Sequence, residues 1–349
     1  MILADWQHVN CVLLCPRMII ITGATGFVGK RFIKLAVKKY GVKNILCLIK
    51  DTDVPLEIDG RKLLNDMHVK TKYINLVTKK GLKNLPKSPE VIINLAAITD
   101  TAIPDHRCND IGVKNLLNAF GALGPNTHFI HFGTMVAWSG RLNCTKPFDK
   151  NSSMSPTNEY TRSKVRGENI LIERQKIDGF KLSILKPNTI YGSGMRPDSL
   201  FDFLSGLIQK KSIFARLNWP GLSSLIHVDN VAQSIISATN NPPSVYSNKI
   251  YLLHGEHLTL AQMSKLMHKE MGVDYKSINL PKLFWSICKF GRLFIPVFEP
   301  ITSLKIYNLI WRAGIITDNV IYCKSDDMKL LLSGKETKKL KNHIQEVLN

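Results

Sequence analysis

The stretch NEYTRSKVRGE (158–168) sets Tyr160 four residues ahead of Lys164. If the segment is a helix start, a phenol and an ammonium share one face, a turn apart. Alone, the pair suits a solvated helix face as well as it suits proton chemistry. A second set is more specific. In IIITGATGFVGKRF, Gly23, Gly26 and Gly29 stand three apart where an apolar strand runs into a helix. Glycines so placed allow a tight turn, close approach of the backbone to a pyrophosphate, and close packing of helix on strand. The free N–H groups at the start of that helix then offer the phosphates a partial positive charge.

The elements that must hold these residues are legible as alternating patterns. Short apolar runs predict strands at MIIIT (18–22), NILCLI (44–49), KYINL (72–76), VIINLAA (91–97), HFIHFG (128–133) and KLSILKP (181–187). Helix-length segments such as 26–39, 109–123 and 159–177 lie between them. This alternation predicts an α/β fold, a doubly wound parallel (Rossmann) sheet covered on both faces. After about residue 190 the pattern loosens. YGSGMRPDS and NWPGLSS read as loops, IHVDNVAQSIISAT as strand then helix, and HLTLAQMSKLMHKEMG as a helix capped near Thr259. The expected organisation is an extension over 1–17, a dinucleotide-binding domain over 18–190, and a small C-terminal substrate-binding lobe over most of 191–349. Residues 225–255 are expected to return to the Rossmann sheet.

The chain resembles the extended short-chain dehydrogenase/reductase family, in its NAD-dependent epimerase/dehydratase group. Five motifs carry the resemblance in order over roughly residues 18–240. They are TGATGFVG at the phosphate turn, NLAA (94–97), the YxxxK pair, LKPNTIYGSG (185–194) and LIHVDNVA (225–232). The resemblance implies cofactor contacts from Gly23, Thr25, Gly26, Phe27, Val28 and Gly29, from Leu95, Ala96 and Ala97, and from Pro187. It also implies that Tyr160 gives or takes a proton while hydride moves to or from a nicotinamide. Lys164, held positive, would stabilise the phenolate of a residue whose free pKa is about 10, and would hold the nicotinamide ribose. In HFGTMVAWSG, Thr134 stands where the family places the hydroxyl that binds the substrate oxygen, with Ala137 and Trp138 in its Val–Tyr positions.

Departures from the family pattern narrow these expectations. Dehydratase relatives follow that Thr with Asp–Glu, whereas this chain has Met135 and Val136, which cannot move protons; a 4,6-dehydratase is not expected. At the end of the second strand the acidic slot that binds a ribose 2′-OH is Ile49, followed by Lys50. A cation there favours NADP over NAD, and Asp51 would reverse this if the register slips. Asn75 stands where the family often has an Asp near the adenine. Asn188 matches a substrate-contacting Asn, but Ser223 replaces the Arg that grips a nucleotide pyrophosphate in epimerases, leaving Arg196 or Arg216 as substitutes. The expected activity is NAD(P)-dependent oxidation or reduction at a secondary alcohol or ketone of a sugar or sugar-nucleotide. An NAD-dependent sugar-nucleotide epimerase and a sterol- or lipid-type dehydrogenase are the alternatives, with a nucleotide-sensing binding protein outside the enzyme class.

The bulk numbers bound the remaining readings. The chain has 349 residues, 44% hydrophobic and 21% charged, as in an ordinary globular protein, but a formal net charge of +20. The lysines are spread out, with doublets such as Lys38–Lys39, Lys79–Lys80 and Lys338–Lys339, so no nucleic-acid partner is expected. Seven scattered cysteines without CxxC spacing suit reduced thiols and a cytoplasmic location. HGEH (254–257) lacks a third ligand cluster, so no metal is expected. The segment 281–314 mixes Phe, Trp, Ile and Leu with Lys and Arg. It reads as a lid over the substrate or as an amphipathic contact with an anionic membrane. A homodimer is expected by family resemblance.

Overall fold

The computed structural model describes residues 18–138, 146–197, 199–291, 297 and 302–348. The extension over 1–17 lies outside them. In chain order the strands are β1 (Ile19–Thr22), β2 (Ile45–Ile49), β3 (Lys70–Tyr73), β4 (Val91–Asn94), β5 (His128–Phe132), β6 (Lys181–Pro187), β7 (Thr189–Tyr191), β8 (Leu222–His227), β9 (Asn248–Leu253) and β10 (Glu256–Thr259). The helices are α1 (Phe27–Tyr40), α2 (Pro55–Asp66), α3 (Ile111–Phe120), α4 (Glu159–Asp178), α5 (Leu200–Gln209), α6 (Val228–Asn240), α7 (Leu260–Glu270), α8 (Lys282–Gly291), α9 (Leu304–Thr317) and α10 (Asp327–Leu331).

Seven parallel strands form one sheet in the order β3-β2-β1-β4-β5-β6-β9. β1, β2, β4 and β5 are buried at every residue, which explains their unbroken apolar runs. Chain order reverses between β1 and β4, so the crevice beyond the carboxyl ends of these strands is where such sheets bind ligands. Each face has its own apolar core. Phe32, Ile33 and Ala36 of α1 pack with Val231, Ile235 and Ile236 of α6 on one side. Val113, Leu116 and Leu117 of α3 pack with Leu171 of α4 and Phe129 on the other.

A second sheet, β10-β8-β7, carries the smaller lobe. β7 leaves the large sheet directly after Pro187, and β8 joins it, so the small sheet recruits residues on both sides of position 190. α6 and β9 return to the large sheet's layer. Met328 and Leu331 of α10, with Leu332, complete the core against α6 and β9, a return the sequence pattern did not indicate.

One strand differs from expectation. KYINL (72–76) predicts a strand through Leu76, yet β3 ends at Tyr73. The Asn75 side chain accepts hydrogen bonds from the Val77 and Thr78 N–H groups, at 2.9 and 3.0 Å, and turns the chain there. Thr259 does cap α7, in a reciprocal pair with Gln262.

Candidate active site

The turn after β1 is shaped by its neighbours. Gly23 has φ +70°, and a Cβ on it would lie 2.6 Å from the Ala96 nitrogen. Ala96 follows β4, and its N–H donates to the Thr22 hydroxyl while the Leu95 N–H donates to the Thr22 carbonyl. A Cβ on Gly29 would meet the Gly23 carbonyl oxygen at 2.1 Å, so α1 rests directly on the turn. Gly26 is the residue before α1, and neither a side-chain cap nor an acid in the first turn occupies the helix start at Phe27 and Val28. The first N–H groups of α1 are therefore offered to a ligand rather than to the protein. The hydroxyl of Thr25 instead donates to Glu57 of α2. Lys50, exposed, is the first residue beyond β2, whose register puts buried Ile49 opposite Tyr73. Arg61 of α2 reaches the same corner, donating to the Thr52 carbonyl at 2.7 Å. A glycine cradle, an uncapped helix start and cations at the end of β2 fit the diphosphate and ribose of a dinucleotide.

Tyr160 opens α4 because Asn158 caps the helix in a reciprocal box with Thr161. Thr134 follows β5 and is buried, and its hydroxyl accepts from the Val136 N–H at 3.3 Å. The His106 ring lies 5.7 Å from the Tyr160 ring, and its Nδ1 hydrogen-bonds the Ile98 carbonyl at 3.2 Å. Asn109 clamps both segments. Its Oδ1 accepts from the Ile98 N–H, and its Nδ2 lies 2.9 Å from the Ile98 carbonyl and 3.1 Å from the Ser163 hydroxyl. Burial raises the Tyr160 pKa above its ordinary value, and the Thr134 hydroxyl and the Arg196 charge offset this in part.

Lys164 is turned elsewhere. Its Nζ donates to the Phe132 carbonyl, and burial pulls its pKa down to about 8, against the opposing pull of Glu168 and Cys108. Glu168, one turn further along α4, is itself paired with Lys186 of β6 at 2.6 Å. The Lys186 ammonium also sits 4.4 Å from the centre of the Trp138 ring. His131 of β5 lies beside these lysines and is kept neutral, its pKa driven well down by burial and by Lys164 and Lys186. The Asn94 amide nitrogen lies 3.2 Å from His131 Nδ1, and the Thr22 hydroxyl donates to Asn94 Oδ1. One buried polar chain thus connects the phosphate turn to the residues behind Lys164.

Other sequence-selected residues are placed differently. Pro187 ends β6 in the core, and Ala97 continues the loop after β4. The Asn188 amide donates to the Val320 carbonyl at 3.0 Å, tying the small lobe together. Arg196 faces the site, within reach of the Thr99 carbonyl and of Tyr160. Asn109, His106, Glu168 and Lys186 were not singled out from sequence. The i+4 spacing of Lys164 and Glu168, and one lysine inside the apolar run KLSILKP, were the available signals.

The NAD dependent epimerase/dehydratase family model matches residues 19–253. The chain belongs to this family. It is 23% identical to a UDP-glucose 4-epimerase of Vibrio cholerae over 291 residues, covering 80% of this chain and 83% of that one. Among solved structures, it is similar to a UDP-glucuronic acid 4-epimerase of Bacillus cereus in complex with NAD and a fluorinated sugar nucleotide. That similarity has a TM-score of 0.70 at 15% identity and covers 95% of this chain and 97% of the other. A dTDP-glucose 4,6-dehydratase of Bacillus anthracis matches with a TM-score of 0.65 at 16% identity, covering 95% and 94%.

Two histidine groups of this family member lie outside the Tyr160 site. The His254 and His257 rings stack 5.5 Å apart, and the Glu256 carboxylate between them in sequence accepts instead from the Leu340 N–H. His227, His343 and Glu346 also converge, with potential ligand atoms within 4.8 Å of one another. Hydrogen bonding decides what this second group does. The Asp229 N–H donates to His227 Nδ1, so Nε2 carries the proton and donates to Glu346 at 3.1 Å. His343 Nδ1 donates to the same carboxylate at 2.8 Å. The group is a clamp holding the C-terminal segment to β8 and α6.

Proposed function

We propose that this chain catalyses NAD(P)-dependent hydride transfer at a secondary alcohol or ketone carbon of a sugar or sugar-nucleotide. The observation that carries the reading is the glycine turn Gly23–Gly29 at an uncapped helix start, with Tyr160 and Lys164 on α4 and Lys164 Nζ donating to the Phe132 carbonyl two residues before Thr134. A nicotinamide dinucleotide bound at the Gly23–Gly29 turn supplies the hydride donor or acceptor. Thr134 orients the substrate oxygen, and Tyr160 gives or takes its proton. Lys164 holds the ribose and anchors α4 to β5 through the Phe132 carbonyl. Arg196 offers a positive charge to the substrate's anionic group. Buried Met135 and the Val136 that follows it supply no acid or base for eliminating water, which favours oxidation–reduction or epimerisation over dehydration. Lys50 and Arg61 at the end of β2 favour a 2′-phosphate and hence NADP.

An internally recycling epimerase, in which hydride returns to the same carbon, is the second reading, and the family and the relatives' printed activities favour it. The test is the nucleotide released on denaturing the purified protein, followed by NADPH and NADH titrations of the emptied protein. Retained NAD(H) supports the epimerase and removes the role given to Lys50. An empty protein binding NADPH at least about tenfold more tightly supports a net reductase. Tyr160→Phe is expected to reduce turnover by about a hundredfold or more while leaving cofactor affinity unchanged. Undiminished turnover would overturn the proton-transfer role.

A further inference from the structure

We propose that the outer face of α8, with the adjoining α9 and the segment 210–214, docks on an anionic membrane surface. This surface lies outside the Tyr160 site, and the inference is independent of which substrate is turned over.

α8 carries apolar side chains on two sides, one buried and one exposed. Trp285 and Cys288 turn inward, with the Trp285 ring 5.2 Å from that of Trp219. Leu283 and Ile287 occupy the opposite side, and Phe284, also exposed, sets its ring edge-on to Trp285. Leu283 is 71% exposed and Ile287 is 62% exposed. α9 packs beside α8 and turns Leu304, Ile306 and Leu309 to solvent, Leu309 at 63%. On the far side of Trp219, Ile213 and Phe214 are exposed as well, and the Trp219 indole donates to the Phe214 carbonyl at 3.1 Å. Single exposed apolar residues are ordinary, but a set drawn from the paired helices α8 and α9 and from the segment hydrogen-bonded to Trp219 marks an interaction surface.

The frame of this patch is cationic. Lys276, Lys282, Lys289 and Arg312 are exposed around α8 and α9, and Lys210 and Lys211 precede Ile213. Lys289 shares its charge with Asp318 at 3.5 Å. Between residues 276 and 317 the only acid in the sequence is Glu299. Apolar side chains ringed by lysines complement a bilayer in two ways. The side chains enter the headgroup boundary, and the ammonium groups meet lipid phosphates. No helix among the described residues is long and apolar enough to cross a membrane, so this contact lies in the plane of the interface. A second copy is a poorer occupant, because a two-fold contact through this face brings like-charged frames together.

The test is co-sedimentation of the full chain with phosphatidylcholine vesicles and with vesicles containing phosphatidylglycerol. Binding is expected to be at least about tenfold stronger to the anionic vesicles and to weaken as salt is raised. The double variant Leu283→Glu/Ile287→Glu is expected to lose about tenfold or more of that binding. Its cofactor affinity and thermal midpoint should stay at wild-type values, which separates loss of docking from loss of fold. Equal binding to both vesicles, or a double variant that binds like wild type, would overturn the proposal. So would a concentration-dependent dimer, abolished by the double variant, in a protein that ignores vesicles.

Discussion

Lys186 Nζ lies 2.6 Å from Glu168 Oε2, and both side chains are closed to solvent, at 0% and 1% exposure. The pair fastens β6 to α4 directly behind Lys164, and the pull of Glu168 opposes the loss of charge on Lys164. There is no slack around it, since a Cβ on Gly133 would lie 2.4 Å from Glu168 Oε1. Lys186→Met removes one partner and leaves a buried carboxylate without its cation. The expected cost is about 3–5 kcal/mol by denaturant unfolding. Lys186→Met/Glu168→Leu should recover much of that loss. A single variant as stable as wild type would mean that the carboxylate takes up a proton at little cost.

On the proposed role of Lys164, its charge sets the alkaline limit of activity. Its pKa is pulled to about 8 by burial, so the ammonium is present at neutral pH and disappears as pH rises through that value. The rate should therefore fall above about pH 8, as the positive charge proposed to hold the ribose is lost. A kcat–pH profile flat up to the ordinary lysine value of 10.5 would contradict this.

Gly29 and Gly23 fail for different reasons when given a side chain. Gly29→Ala pushes a Cβ to 2.1 Å from the Gly23 carbonyl oxygen, which is backbone and cannot swing away. A loss of about 1–3 kcal/mol in unfolding free energy is expected as α1 lifts from the turn. Gly23→Ala adds a strained left-handed residue at φ +70° and presses on the Ala96 nitrogen. NAD(P) titration should show weaker binding for both variants, since both displace the helix start that faces the phosphates.

Acid should destabilise the fold through two groups at and beside the small lobe. Burial alone would raise the Glu346 carboxyl. Hydrogen bonds from His343, the Ser193 N–H and His227 outweigh this and bring it down to about 2. A depressed carboxylate contributes stability above its unfolded value, near 4.5, that is lost as pH falls through about 2. His254 acts at higher pH. Burial, then the His257 charge, lowers its pKa to about 4, so the unfolded chain gains its proton first, and stability declines from about 6.5 down to 4. Thermal unfolding scans should show the midpoint falling across both windows. His254→Asn should make the fall across the upper window shallower, the rest coming from His131, His227 and His257, which burial also lowers, and should leave the lower window. A midpoint constant from pH 7 to 4 would contradict the buried neutral His254.

Spacing alone carried much of the fold and part of the site. The Gly23–Gly26–Gly29 turn, the Asn158-started helix bearing Tyr160 and Lys164, and the buried runs of β1, β4 and β6 are patterns of near neighbours. Their geometry follows from backbone conformation and side-chain periodicity. The strand KYINL was misread because the side chain of Asn75 captured two backbone N–H groups, a local competition that apolar periodicity does not register.

Contacts between distant segments were decided by the tertiary structure. Arg196 reaches the Thr99 carbonyl in the loop after β4, Lys186 meets Glu168, Asn109 clamps that loop to α4, and Trp285 rather than Leu283 turns inward. The direction of the Tyr160 shift belongs with these. From sequence, a lysine one turn away stabilises a phenolate; in the fold, one Lys164 N–H donates to the Phe132 carbonyl, and burial raises the Tyr160 pKa. Spacing along the chain determines which residues share a face. Desolvation and Coulomb interactions depend on distance through space and on what excludes water, and only the packed chain sets those.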